Sequence, residues 1–311
     1  MGKRIAVTKT YKLFVGGGFP RSESGRSIAV TGGGGKVLAH VAHASRKDLR
    51  DAVVAARGAL GGWSSRTAYN RGQILYRMAE MLEGKGDEFA GAIRDGAGRS
   101  ERVTAAAARR EVEACVDRLV VFAGWCDKYQ HVLGSHNAVA GPYHNFSLAE
   151  PTGVVVVFPA ARPALLGLVS LIAPVLAGGN TVIAAVGQGG GGGGDGEGDG
   201  GGGLIPAALL GEVLATSDVP GGVVNILTGD QEELAPHAAS HRDINGIFAA
   251  GQPEGRARVL RGGTAENIKR VRVCGAGELE GGACFDAERC GSPWLIEPFV
   301  ETKTLWHPSA T

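Results

Sequence analysis

Three things are scarce in this chain of 311 residues: an excess of either charge, an apolar run long enough to span a bilayer, and closely spaced cysteines. Its formal charge is +1, which gives no electrostatic case for nucleic acid or an anionic membrane as partner. Arg94, Arg99, Arg102, Arg109 and Arg110 do cluster, but Asp95, Glu101, Glu111 and Glu113 alternate with them, as on a solvated helix face. Leu165 to Ala177 is strongly apolar, yet too short to cross a membrane and interrupted by Pro174. Met1 to Thr10 lacks the apolar core of a secretory signal, and Ala6 stands where a myristoylation signal at Gly2 wants Ser or Thr. Cys115, Cys126, Cys274, Cys284 and Cys290 are an odd number without close pairs, which suits reduced thiols. These absences point to the cytoplasm, with neither nucleic acid nor membrane as a partner.

What is present is enough apolar material, 44% hydrophobic against 20% charged, to bury a substantial core. Pro151-Thr152-Gly153 is a turn, and Val154 to Phe158 is an uninterrupted apolar run, as in a strand buried on both faces of a parallel sheet. Ala164 to Gly178 is Leu- and Ala-rich and stops at Gly178-Gly179, as a packed helix does. Asn180 to Val186 is a second strand, completing a βαβ unit. Pro220 to Leu227 and Asn245 to Phe248 supply two more strands, each after a plausible helix. The fold class is therefore α/β, a doubly wound, mostly parallel sheet of nucleotide-binding type.

Two or three short strands precede a helical N-terminal part. Ser45 with Asp48 forms a capping-box start, followed at helical spacing by Leu49, Val53, Ala56 and Leu60. A second helix runs from Thr67 to Gly84 with Ile74, Met78 and Met81 on one side, and Glu101 to Leu133 makes one or two more. Trp63, Phe122, Trp125 and Tyr129 read as core or interface aromatics.

Several segments, in order, resemble landmarks of the aldehyde dehydrogenase superfamily. They are Lys12 to Gly17 with Arg21 to Arg26, Glu150 to Val154, Ile172-Ala173-Pro174, Gly179 to Val182, Pro220 to Asn225 and Asn267 to Val271. The resemblance implies NAD or NADP as cofactor, a cysteine nucleophile and an oligomer. The departures fall at the polar positions. The family's Pro-Trp-Asn, whose amide helps hold an oxyanion, corresponds to Pro159-Ala160-Ala161. Its Lys-Pro-Ser-Glu, which holds the adenosine ribose, corresponds to Ala185-Val186-Gly187-Gln188, and its Phe-Thr-Gly-Ser to Phe248-Ala249-Ala250-Gly251, with Gly255 retained.

Past Val271 the family continues into a Glu-Leu-Gly-Gly general-base motif and a domain carrying the nucleophile. Here the base position falls at Cys274, and Arg272 to Pro293 leaves no room for such a domain before a C-terminal strand. Glu278 to Gly282 reads as an acidic, Gly-rich connector rather than a displaced base motif. Trp294 to Trp306 alternates, with Ile296, Val300, Thr302, Thr304 and Trp306 on one face and Pro298 marking an edge or bulge. Glu301 to Thr304 resembles the family strand that crosses to a neighbouring subunit, and Asn137 to Ala149, turning at Gly141-Pro142, resembles its other oligomerisation arm. The implied organisation is an aldehyde-dehydrogenase-like domain over 1–273, a connector over 274–293 and an oligomerisation strand over 294–311. A Gly-rich insert at 187–203, expected to be a floppy tether, interrupts the first.

Other chemistry is thin. His237 and His241 share an i, i+4 spacing without a third ligand, and His40 and His43 fall on opposite sides of a strand, so no metal site is expected. Cys284 and Cys290 lack the family's Gly-Gln-x-Cys setting and read as ordinary loop thiols. No catalytic residue is assigned, and Phe158, Pro159, Gly229 and Gly251 are the remnant cofactor positions. Three readings follow. One is a non-catalytic structural or regulatory subunit that binds itself or a full-length relative and needs no cofactor. Another is an NAD(P)-dependent aldehyde oxidoreductase, alone or completed by such a partner; the third is a nucleotide-sensing module.

Overall fold

The computed structural model describes residues 7–97, 102–188 and 201–309. β1 (Lys9–Tyr11), β2 (Ser27–Thr31) and β3 (Val37–Ala42) form a small sheet in the order β1-β3-β2. Helices α1 (Arg46–Ser64), α2 (Ala68–Gly84), α3 (Gly86–Asp95), α4 (Ala105–Trp125) and α5 (Tyr129–Leu133) follow. α1 begins at the expected capping box: Ser45 Oγ accepts from Asp48 N, and Asp48 accepts from Ser45 N. Asp48 also accepts from Ser22 Oγ and Glu23 N, so one carboxylate ties the chain entry to the helix start.

β4 (Ser135–Asn137) and β5 (Tyr143–Pro151) form the hairpin turning through Gly141-Pro142. The alternation that builds the centre comes next: β6 (Val154–Phe158), α6 (Leu166–Ala177), β7 (Thr181–Gly187), α7 (Leu204–Leu214), β8 (Val224–Gly229), α8 (Gln231–Ser240), β9 (Gly246–Ala249), α9 (Glu254–Gly262) and β10 (Arg270–Val273). These strands make one five-stranded parallel sheet in the order β10-β9-β6-β7-β8. The chain steps to one side of β6 and then to the other, so the switch point lies between β6 and β9. In open sheets of this kind, ligands sit beyond the carboxyl ends of the strands at that point.

Alternate side chains feed two layers. Val155, Val157, Val182 and Ile226 pack with α2, α4, α6 and α7, while Val154, Val156, Ile183 and Leu227 pack with α1, α8 and α9. The sheet is thus covered on both faces, which is why its strands read as continuous apolar runs.

The C-terminal part differs from its sequence reading. After α10 (Ala287–Cys290), the segments Pro293–Leu295 and Glu297–Phe299 are 3-10 turns, and β11 is only Val300–Pro308. Ile296 and Phe299 are fully buried, and satisfying that burial bends the backbone through turns where alternation alone suggested a strand from Trp294. Pro298 belongs to the second turn rather than to an edge strand. β11 pairs antiparallel with β5 of its own chain along its whole length, giving the sheet β11-β5-β4. His241 lies just past the end of α8 with extended backbone, so it shares no helix face with His237. Of the Gly-rich stretch, Gly187 ends β7 and Gly201 to Gly203 are buried against Val30, Arg162 and Val186 at the entry to α7, not loose. The rest, 189–200, lies outside the described residues, as does Arg99 of the arginine cluster.

Candidate functional site

The carboxyl ends of β6, β7 and β9 surround a crevice of about 90 Å³ whose walls include Pro159, Ala161, Gly187, Gln231, Gly251 and Arg256. Two glutamines bridge the strand ends around it. Gln231 Nε2, at the first turn of α8, donates to Pro159 O at 3.2 Å and to Ala185 O at 2.9 Å, bridging the ends of β6 and β7. Gln252 Nε2 donates to Ala250 O at 2.8 Å and to Phe158 O at 3.2 Å, bridging β9 and β6. Arg256 Nη1 then donates to Gln231 Oε1 at 2.7 Å and Gln252 Oε1 at 3.0 Å, locking both amides. Its other edge pairs with Glu232 at 2.7 Å. Four carbonyls at this end, those of Phe158, Pro159, Ala185 and Ala250, therefore accept from side chains of this chain.

Of the four expected positions, three come together. Phe158 ends β6 and is buried beneath the crevice, Pro159 forms its wall, and Gly251 faces Pro159 across the switch point. Gly251 has φ +60°, and a Cβ there would lie 2.5 Å from the Ala160 Cβ, so only glycine fits. Gly229 stands apart at the end of β8, where a Cβ would meet His43 Cδ2 at 3.0 Å and Ala44 N at 3.1 Å. Burial pulls the His43 imidazole below its ordinary pKa, with Arg26 adding to the effect.

The structure also brings in residues that the sequence reading left out. Gln231, Gln252 and Arg256 carried no motif; the only signal was a glutamine two or three residues past each of two strand ends. Glu280, read as connector, reaches the rim: a Cβ on Gly251 would be 2.9 Å from its Oε2, and its Oε1 accepts from Gly277 N at 2.6 Å. Gly281 N in turn donates to Arg162 O. A carboxylate here opposes a pyrophosphate by like charge.

All five cysteines are buried, and none lines the crevice. Burial pushes the Cys126, Cys274 and Cys284 thiols up to about 12, and raises those of Cys115 and Cys290 as well. Cys284 and Cys290 are thus core thiols in a folded connector rather than loop thiols, and none of the five is a thiolate at neutral pH. Ala161, at the crevice wall, offers no side-chain hydrogen-bond donor. Among the described residues no three His, Cys, Asp or Glu side chains converge as a metal would need, and no helix is long and apolar enough to cross a membrane.

A sequence model of the aldehyde dehydrogenase family matches residues 21–188. This chain belongs to the aldehyde dehydrogenase family. Mouse cytosolic 10-formyltetrahydrofolate dehydrogenase is 30% identical over 277 residues, covering 87% of this chain and 29% of that protein. The mitochondrial benzaldehyde dehydrogenase of Antirrhinum majus is 28% identical, covering 89% of this family member and 49% of the relative. Among solved structures, the NAD+ complex of an aldehyde dehydrogenase from Bacillus cereus superposes with a TM-score of 0.73 at 25% identity, over 85% of this chain and 50% of that one. A putative aldehyde dehydrogenase from Burkholderia cenocepacia gives 0.75 at 26% identity with the same coverage. This family member thus spans about half the length of those structures, and less than a third of the mouse relative.

The family implies a dinucleotide, and the crevice does not fit one. Pockets for drug-sized ligands run to roughly 300–1,000 Å³, several times the 90 Å³ here. The strand-end carbonyls are already bridged by glutamine amides, and the positions matched to the ribose-holding Lys and Glu are buried Ala185 and exposed Gln188.

Proposed function

We propose that this aldehyde dehydrogenase family member is a non-catalytic subunit, structural or regulatory, that associates through the β11-β5-β4 sheet with a second copy or with a longer relative. The observation that carries the proposal is the closed crevice: Gln231, Gln252 and Arg256 occupy the strand ends where the fold would receive a coenzyme. Hydride transfer needs a nicotinamide, a thiolate and an oxyanion donor in one place. The buried thiols and Ala161 argue against the second and third. Association is supported by the arm: β11 and β4 are edge strands, and Tyr143, Leu148 and Trp306 are exposed apolar side chains on this sheet.

Purified chain should form no NADH, followed at 340 nm, from NAD+ and an aldehyde. Ala161→Asn alone should not change this. Light scattering should report an oligomer that Trp306→Lys shifts toward monomer. Aldehyde-dependent NADH formation by the chain alone would overturn the non-catalytic reading, and a monomer in the unmodified protein would remove the self-association. Activity appearing only on mixing with a full-length relative would instead support the reading in which a partner completes the site.

A further inference from the structure

At the amino-terminal end of β6, across the sheet from the crevice, lies a second hollow of about 230 Å³. Its walls come from the end of α1, from α5, from the last residues of β5 and from the Gly178-Gly179 turn. Arg71, in the first turn of α2, points into it and is only 7% exposed. Its Nη1 donates to Arg66 O at 2.7 Å and to Ser64 O at 3.5 Å, while its Nε has no hydrogen-bond partner. Among the described residues no carboxylate forms an ion pair with it.

A guanidinium stays protonated at any physiological pH. Removing it from water without an anion is costly, and two backbone carbonyls with one neutral hydroxyl replace only part of its hydration. Among the described residues the one carboxylate lining the hollow, Glu150, forms its ion pair with Lys303. Gln130 is committed on both sides, Nε2 to Ala149 O and Oε1 to Ala149 N. The Tyr129 hydroxyl, its pKa raised chiefly by burial, is neutral and hydrogen-bonds the Arg71 side chain without supplying a charge. Glu150 stands at the rim, where its Oε1 accepts from Lys303 Nζ at 2.9 Å. A buried guanidinium with an unpartnered Nε, beside a small hollow whose other lining side chains are neutral except Glu150, is an arrangement that can receive an anion.

We propose that the Arg71 hollow binds a small oxyanion, the shared chemistry of inorganic phosphate and of a short carboxylate. The site is independent of the coenzyme crevice and of whether the chain is catalytic. Its link to Glu150 and Lys303 also places it against the β5–β11 pairing.

Isothermal titration of the intact chain with phosphate and with acetate, at constant ionic strength, tests the proposal. Saturable binding of at least one, with a Kd on the order of millimolar, is expected. Phosphate alone assigns a tetrahedral anion, and acetate alone a carboxylate. Arg71→Gln should weaken binding at least tenfold. Glu150→Gln keeps the guanidinium, removes the competing charge at the rim and should tighten binding several-fold. The proposal fails if neither anion binds saturably, or if a folded Arg71→Gln binds as the wild type does. Should Arg71→Gln not fold, unchanged affinity in Glu150→Gln overturns it.

Discussion

At the strand ends a single side chain, Gln231, satisfies two carbonyls from different strands while its own oxygen receives Arg256. Gln231→Ala leaves Pro159 O and Ala185 O without these donors in a buried place, and should cost about 1–3 kcal/mol, read from urea unfolding. The opened space should not restore coenzyme binding, because Ala161, Ala185 and Val186 still supply no polar group. A second residue makes a pH prediction. Lys269 Nζ is buried against Ala238 O, Ala239 O and His241 O at the end of α8, and burial pulls its pKa from 10.5 to about 8. Between those two values the unfolded chain binds more protons than the folded one, so this group's contribution to stability rises with pH; below about 8 the full cost of the desolvated charge is present. The stability advantage of wild type over Lys269→Met should therefore widen from pH 7 to pH 10 in urea unfolding, and a narrowing gap would contradict the assignment.

Among the elements, the capping box at α1 makes a direct test of local reasoning. Ser45→Ala should cost roughly 1 kcal/mol in the same unfolding measurement, with Asp48 keeping its contacts to Ser22 and Glu23. That helix start, β6 to β9 and α6 were legible because a continuous apolar run closed by a glycine stop can be buried in few ways. The turns at 293–299 were not legible. Their alternating pattern fits a strand, and only the long-range demand to bury Ile296 and Phe299 beneath the sheet decides otherwise. The same applies to Gly201 to Gly203, whose composition suggests a loose tether until Val30 and Arg162 close around them. In the site, the missing polar groups could be read from Ala161 and Ala185, since a substitution deletes a donor wherever it sits. The glutamine plug could not, because it depends on helices α8 and α9 delivering Gln231 and Arg256 to one point.

On the scale of the whole molecule, helices cover both faces of a parallel sheet, and the fold is that of aldehyde dehydrogenases over the half of their length that this chain spans. At one end of that sheet, side chains close the switch point. The arm sheet lies apart from that end and keeps its edges, so the proposed association is independent of the crevice. Isothermal titration of the intact chain with NAD+ and NADP+ tests the closed crevice most directly. A crevice closed by Gln231, Gln252 and Arg256 should give no saturable heat at millimolar coenzyme; one-to-one binding of either coenzyme in the micromolar range would contradict it.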